Sequence, residues 1–272
     1  MHPTLINMGG YVISSYGAAM LLAFVVSIIP VLLYFPRKTL SLVDIYNFCL
    51  IVIAAIFIGG PLIQLFLFQN VTLIEVKGIF QFWNRTRDFA SFPTLLATLV
   101  MMWLYCKLKH IPFLATLDFL FPYAILALAI QRTLGCFSAG CCYGLPTELP
   151  WGMHFPDSSP AGAAFPHFSI HPTQFYYGLS TLAIFLFLMG YKRYYQNTQP
   201  VGEITAMGLV LLSLTYFMIT FLRGDLTAMI GTFNLTLGQQ LAITLFFGGM
   251  ILYAIVRWRK PNSLSTNSTD KN

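Results

Sequence analysis

The sequence predicts an all-α, polytopic integral membrane protein with about seven transmembrane helices. Of its 272 residues, 57% are hydrophobic and only 9% are charged. A soluble domain usually has roughly a quarter of its residues charged, and so few charges could not cover its surface. The same figures exclude a disordered chain, and five cysteines are too few for a disulfide scaffold of this length.

The distribution of apolar residues supports this class, because a spanning helix needs about 20 mostly apolar residues. Seven runs reach or approach that length, and the third is the shortest. The runs cover residues 11–34, 45–68, 93–106, 112–134, 174–191, 204–222 and 237–256. We find no sequence repeat, so an inverted-repeat transporter has no support. We expect one membrane-embedded domain over residues 1–260.

The basic residues predict the orientation, since Lys and Arg are enriched in cytoplasmic connections. Basic groups follow the first, third, fifth and seventh runs, which places the N-terminus outside. They are Arg37, Lys38, Lys107, Lys109, Lys192, Arg193, Arg257, Arg259 and Lys260. This placement accounts for much of the net charge of +6 without nucleic acid as a partner. We expect no removable signal peptide, and a disordered cytoplasmic tail over residues 261–272.

Two arginines outside this pattern are candidate functional residues. Arg132 ends a nearly uncharged apolar run, and Arg223 is followed by Gly224 and Asp225. An ionisable residue at membrane depth is costly and therefore indicates a function. The alternatives are that Arg132 only reaches the interface, and that Arg223 anchors a helix end by pairing with Asp225.

The segment that follows Arg132 is rich in glycine. Gly135, Gly140 and Gly144 favour tight turns, whose exposed N–H groups can bind an anion. The guanidinium of Arg132 adds a two-pronged donor for phosphate. The segment indicates a phosphate head-group site at the external membrane surface, with a purely structural loop as the alternative. We expect a small external loop subdomain over about residues 135–171.

The same segment holds Cys136, Cys141 and Cys142, and three interpretations stay open. In the first, the three cysteines are small buried residues, or Cys136 forms a disulfide with one of the other two. In the second they line an active site, and in the third they bind a metal. The histidines available to a metal site are His154, His167 and His171. The C-x-x-C spacing of zinc sites is missing, so we expect no metal and no cofactor.

Further polar residues lie at the ends of apolar runs. Pro172 suits the first turn of a helix, but this does not account for His171 and Gln174 beside it. A neutral His171 could act as a base or as a hydrogen-bond donor. Tyr16, in the first run, could bond a neighbouring helix or present its hydroxyl to a lipid head group.

The order of these motifs resembles the prolipoprotein diacylglyceryl transferase family over most of the chain. The matching residues are Tyr16-Gly17, Gly59-Gly60, Arg132 with Gly135, Gly140 and Gly144, His171-Pro172-Thr173-Gln174, Phe221-Leu222-Arg223-Gly224-Asp225, and Leu237-Gly238-Gln239. The sequence also departs from the family pattern. Pro93 stands at the position of the family's essential His, Cys136 replaces its signature Asn, Pro61 its usual Arg and Thr220 its usual Glu.

The resemblance implies a bacterial inner-membrane enzyme that needs neither metal nor cofactor. Its substrates would be phosphatidylglycerol, or a similar phospholipid, and a prolipoprotein, whose lipobox cysteine thiol attacks the glyceryl carbon so that glycerol phosphate leaves. The implied catalytic residues are Arg132, Arg223, His171 and Tyr16. The implied substrate-binding residues are Gly135, Cys136, Gly140, Gly144, Gln174 and Gln239. The alternatives are a lipid-dependent transferase with another acceptor, and a non-catalytic phospholipid-binding protein.

Overall fold

The computed structural model of the chain describes residues 4–8, 11–60, 62–63, 91–195, 199–226 and 235–258. The predicted tail, Pro61 and the side chain of Pro93 lie outside the described residues. The chain forms two compact units, one of Met1–Ile28 with Leu117–Asn272 and one of Ile29–Thr116.

The described residues form two short strands and eight main helices. In chain order they are β1 (Thr4–Met8), β2 (Tyr11–Ser14), α1 (Ser15–Tyr34), α2 (Leu42–Ala54), α3 (Ser91–Leu108), α4 (Phe113–Ile130), α5 (Pro160–Ala164), α6 (Thr173–Tyr194), α7 (Glu203–Thr220) and α8 (Leu237–Trp258). Of these, α2 continues through a π-helical turn at Ala55–Gly59 and α4 through Gln131–Cys136 and Phe137–Ala139. Within these residues, six helices are long and apolar enough to cross a membrane, and α3 adds the shorter apolar stretch Thr94–Leu108. The prediction of a multi-pass helical membrane protein is confirmed.

The helix surfaces agree with a lipid environment. Large apolar side chains lie exposed along the spans, as Leu21 (65% exposed) and Leu33 (63%) do on α1. A soluble helix would place its apolar side chains on one face and bury them, whereas a spanning helix is apolar on all sides.

Two boundaries differ from the sequence prediction. The first span begins at Ser15 and not at residue 11, because Tyr11–Ser14 pairs with Thr4–Met8 as an antiparallel hairpin. A short apolar run with β-branched residues suits either a strand or a helix, so its pattern alone could not decide. The fourth span extends beyond residue 134, since α4 continues through a π-helical turn as far as Ala139.

In the unit Ile29–Thr116, polar contacts join α2 to α3. Ser41 caps α2 by accepting from the Asp44 N–H at 3.2 Å, and Asp44 accepts from the Ser41 N–H at 2.8 Å. The Tyr105 hydroxyl of α3 donates to the Asp44 carboxylate at 2.7 Å, and Asn47 donates to Tyr105 at 2.9 Å. The helix cap and the contact between the two helices therefore share one carboxylate.

In the other unit, α7 packs against α6 and α8. The apolar core between α4, α6 and α7 is formed by Ile125, Ile184, Leu188 and Ile204. At one end of this bundle lies the ion pair between Arg257 and the fully buried Glu203, with 2.8 Å between nitrogen and oxygen. Breaking a buried ion pair leaves an uncompensated charge, so this contact ties α8 to the start of α7.

Asp118 fixes the start of α7 from inside α4. Its carboxylate accepts from the N–H of Gly202 at 2.5 Å, from the N–H of Thr205 at 2.8 Å and from the Thr205 hydroxyl at 2.6 Å. Carboxylates near a helix N-terminus are stabilising, because the first N–H groups of a helix have no partner within it.

We expect Asp118→Ala to lower the free energy of unfolding by about 2–4 kcal/mol, because the substitution leaves buried donors unpaired. Thermal unfolding of the purified protein in detergent measures the effect. The matched control is Asp157→Ala, which removes a carboxylate from an exposed loop position and should change stability by less than about 0.5 kcal/mol. Equal melting temperatures for the two variants would contradict the role of Asp118.

Candidate functional site

The glycine-rich segment is not a loop at its start. Residues Gln131–Cys136 form a π-helical turn that continues α4, so the prediction of a tight turn at Gly135 is wrong. Gly135 instead packs against α1, where an added Cβ would lie 3.4 Å from the ring of Tyr16. The chain turns at Gly140, whose φ of 68° suits glycine. Single π turns inside α-helices often mark functional sites.

Arg132 projects from this turn into a group of thiols and an aromatic ring. Its Nη1 lies 3.0 Å from Cys142 Sγ and 4.0 Å from Cys136 Sγ. Its guanidinium carbon lies 5.1 Å from the centre of the Tyr177 ring, a cation–π distance. These contacts tie the partly buried Arg132 to neighbouring residues of the protein, as expected for a functional arginine.

Tyr16 joins this group through Gln131. The Gln131 Nε2 donates to the Tyr16 hydroxyl at 2.9 Å and to Cys136 Sγ at 3.2 Å. Tyr16 also packs against the cluster of Cys136, Cys141 and Cys142. The sequence analysis did not single out Gln131, although a polar residue next to a membrane-buried arginine is a signal for a shared network.

The second arginine lies where three segments meet. The Gly144 N–H donates to the His171 carbonyl oxygen at 3.1 Å, and the Leu145 N–H donates to that of Leu222 at 2.9 Å. Gly144 also forms an isolated antiparallel bridge with Arg223. An added Cβ at Gly144 would overlap the backbone of His171, so only glycine allows this approach.

The Arg223 side chain is almost fully buried and holds Asp225 through two hydrogen bonds, at 2.9 Å from Nε and 2.7 Å from Nη2. The predicted pairing with Asp225 is thus present. The pairing does not remove Arg223 from the site, because its backbone N–H donates to the Thr220 carbonyl oxygen at 3.2 Å. The side chain of Thr220 contacts Tyr177, whose ring lies under the Arg132 guanidinium.

Tyr177 contacts Arg132 through its ring, and the sequence pattern predicted no role for it. Its hydroxyl is 3.0 Å from the Thr220 hydroxyl, at the end of α7. Tyr177 follows Thr173 by four residues and Gln174 by three, so the three side chains share one face of α6. The spacing of Tyr177 from Thr173 and Gln174, two polar residues at the start of α6, could have identified Tyr177 from the sequence.

Thr173 and Gln174 hold the two neighbouring cysteines in place. The Thr173 hydroxyl donates to the Cys142 carbonyl oxygen at 2.5 Å, and the Gln174 amide donates to that of Cys141 at 2.8 Å. Cys142 has a φ of 55°, a left-handed conformation that costs a non-glycine residue about 1 kcal/mol. These contacts stabilise that conformation, and they give the fully buried Gln174 a supporting position in the site.

Two residues near this point, Cys141 and Tyr143, have a raised side-chain pKa. Hydrogen bonding to the neighbouring thiols Cys136 and Cys142, together with burial, raises the pKa of the Cys141 thiol well above its usual range. Burial, aided by the charge of Asp225, raises the pKa of Tyr143. Both groups therefore keep their protons at neutral pH.

His171 is half-buried, and its Nδ1 lies 3.2 Å from the Tyr176 hydroxyl. That hydroxyl also accepts from the indole N–H of Trp151 at 2.8 Å. Tyr176 therefore orients the imidazole of His171, and which of the two groups donates depends on the tautomer of His171.

Two predicted substrate-binding residues have structural partners elsewhere. The Gln239 side-chain oxygen accepts from the N–H of Thr236 at 3.0 Å, and the Thr236 hydroxyl accepts from the N–H of Gln239 at 3.2 Å. This reciprocal pair is a capping box for α8. Gly140 packs against Ser159 and Pro160 at the start of α5.

A family model described as prolipoprotein diacylglyceryl transferase matches residues 3–255. The chain belongs to this family. It is 27% identical over 264 residues to a Clostridium tetani protein, covering 96% of this chain and 100% of the relative. It is 34% identical over 185 residues to a Nitratidesulfovibrio vulgaris protein, covering 65% and 63%. It is 36% identical over 166 residues to a Chlamydia caviae protein, covering 58% and 53%. All three relatives are named phosphatidylglycerol–prolipoprotein diacylglyceryl transferase.

Within the diacylglyceryl transferase family, Pro93 is the departure that bears most on chemistry. It lies in the first turn of α3, where a proline is tolerated because the first N–H groups of a helix lack partners. A proline has no proton to exchange. A residue other than Pro93 must therefore accept the proton in the reaction.

Proposed function

We propose that this protein is a transferase of the bacterial inner membrane that moves the diacylglyceryl group of phosphatidylglycerol to the lipobox cysteine thiol of a prolipoprotein. The observation that carries the proposal is the series of contacts that joins Arg132 to Arg223. The Arg132 guanidinium lies over the Tyr177 ring, and the Tyr177 hydroxyl contacts that of Thr220. The Thr220 carbonyl oxygen in turn accepts from the Arg223 N–H. The two arginines come from distant parts of a chain with 9% charged residues. Positive charges in an apolar membrane protein are rare, and two that share one network indicate an anionic ligand.

The phosphodiester of phosphatidylglycerol suits this pair. When the bond between the glyceryl carbon and the phosphate oxygen breaks, the departing glycerol phosphate gains negative charge. Guanidinium groups that are already in position stabilise this developing charge, and they do so more strongly away from water. The guanidinium of Arg132 can also offer two parallel N–H groups to phosphate oxygens.

The attacking thiol must lose its proton, and the new bond then joins its sulfur to the glyceryl carbon. His171 and Tyr16 remain the proposed participants in this proton transfer. Tyr16 accepts from Gln131 and lies against the thiol cluster. His171 contacts Tyr176, and its backbone oxygen accepts from Gly144 beside Arg223. A single general acid or base typically contributes about 10²–10⁴-fold to a rate.

The proposal is tested by transfer in membranes from a host depleted of its own diacylglyceryl transferase. Membranes that contain this protein receive isotope-labelled phosphatidylglycerol and a prolipoprotein client, and the client is then examined by mass spectrometry. We expect a labelled diacylglyceryl thioether on the client. A client whose lipobox cysteine is replaced by serine is the control and should gain no label. An unmodified client in membranes that contain the folded protein would contradict the proposal.

A further inference from the structure

We propose that Cys136, Cys141 and Cys142 form a binding site for a thiophilic metal cation, Zn²⁺ or Cu⁺, beside Arg132. The three sulfur atoms are buried and all lie within 4.8 Å of one another. Three sulfurs bound at about 2.3 Å to one Zn²⁺ would lie about 4 Å apart. The observed spacing therefore needs only small side-chain movements to surround a metal ion.

The fold presents the three thiols from two different elements. Cys136 ends the π-helical turn of α4, and Cys141 and Cys142 follow the reversal of the chain at Gly140. Thr173 and Gln174 fix the backbone of the cysteine pair. All five cysteines of the protein are free thiols in this structure. A site whose ligands are held from both sides loses little entropy when the metal binds.

The charges around the cluster also fit a metal–thiolate complex. Three thiolates carry a charge of −3, so the complex has a net charge of −1 with Zn²⁺ and −2 with Cu⁺. Arg132, whose Nη1 lies 3.0 Å from Cys142 Sγ, offsets one of these negative charges. Among the described residues, Arg132 forms no ion pair with a carboxylate, so its charge is available to the sulfurs.

The choice of metal follows from known thiolate chemistry. A coordinating thiol is deprotonated, so binding of the cation releases the thiol protons. The N–H groups of Arg132 and Gln131 then act as outer-shell donors to the ligand sulfurs. Sulfur ligands favour Zn²⁺ and Cu⁺, whereas Mg²⁺ requires oxygen ligands.

Metal binding would also affect transfer, a consequence that rests on the function proposed above. With the cluster occupied, the Arg132 guanidinium is held on the anionic sulfurs and is withdrawn from phosphate. We expect Zn²⁺ to inhibit the reduced wild-type protein. The binding site itself does not depend on that function.

The test is a titration of the purified, phosphine-reduced full-length protein in detergent with Zn²⁺ against a chromophoric chelator. We expect one Zn²⁺ per protein, one Cu⁺ in a separate anaerobic arm, and no competition from Mg²⁺. Cys136→Ser and Cys142→Ser should each lower the Zn²⁺ affinity at least about tenfold. The control Cys49→Ala/Cys106→Ala changes only cysteines outside the cluster and should bind as the wild type does.

Arg132→Gln leaves all three thiols in place and provides a second variant if a cysteine variant fails to fold. We expect its Zn²⁺ affinity to fall about 10–100-fold, as for the loss of an outer-shell partner. A wild-type protein that binds no Zn²⁺, or a Cys136→Ser/Cys142→Ser protein that binds it normally, would overturn the site. If the wild-type protein transfers lipid but binds no Zn²⁺, the metal site is overturned and the proposed function stands. If it binds Zn²⁺ but transfers no lipid, the proposed function is overturned and the metal site stands.

Discussion

Replacing Arg132 or Arg223 with glutamine is expected to lower diacylglyceryl transfer by at least about 10²–10³-fold, the effect of removing one charged donor from a developing anion. Arg223 is buried with Asp225 as its partner. The partly buried Arg132 contacts thiols and the Tyr177 ring, and both arginines would face the phosphate in the proposed site. Arg132→Lys should lose less activity than Arg132→Gln, because it keeps the charge but not the two parallel N–H groups. Initial rates of client lipidation measure the three variants.

The matched control is Arg193→Gln, the same change at an exposed position at the end of α6. Its rate should equal that of the wild type. The double variant Arg132→Gln/Arg223→Gln should lose less than the product of the two single losses, because groups that act on one phosphate are not additive. Rates within a few fold of the wild type for both single variants would refute the arginine site.

Gly144→Ala is expected to have the second large effect, on folding as well as on transfer. An added Cβ would overlap the backbone of His171 and lie 3.0 Å from the Leu222 carbonyl oxygen. Relief of that overlap must separate the segments that carry His171 and Arg223. We expect the free energy of unfolding to fall by about 1–3 kcal/mol, the usual cost of overpacking, and transfer to fall at least about tenfold.

Gly190→Ala is the control for this prediction, because an added Cβ there meets no atom within 4 Å. The same change near the C-terminal end of α6 should leave both stability and transfer at wild-type values or slightly raise stability. Thermal unfolding in detergent and the lipidation assay report the two effects. If Gly144→Ala matched Gly190→Ala in both measurements, the close approach of the three segments would not be needed for the site.

The spans were predictable because the property that defines them is local. Each needs only a sufficient length of apolar residues, and the predicted runs coincide with six long helices and the shorter α3 in the part of the chain that the structure describes. The hairpin of Tyr11–Ser14 was not predictable, because its partner strand decides its conformation. The π turn at Gln131–Cys136 was missed for a related reason. Three glycines within ten residues (Gly135, Gly140 and Gly144) favour a loop unless neighbouring helices cover the chain.

The sequence by itself determined the membrane class, the family and the two arginines, because apolar length, motif order and rare charges are all properties of the linear chain. Only the tertiary structure decided that the Tyr177 ring lies under Arg132, that Gln239 caps a helix, and that three cysteine sulfurs lie within 4.8 Å of one another. Those relations depend on how the chain folds and packs, which the linear pattern does not contain. The few charged groups indicated a candidate anion site, and packing determined which side chains surround Arg132 and Arg223.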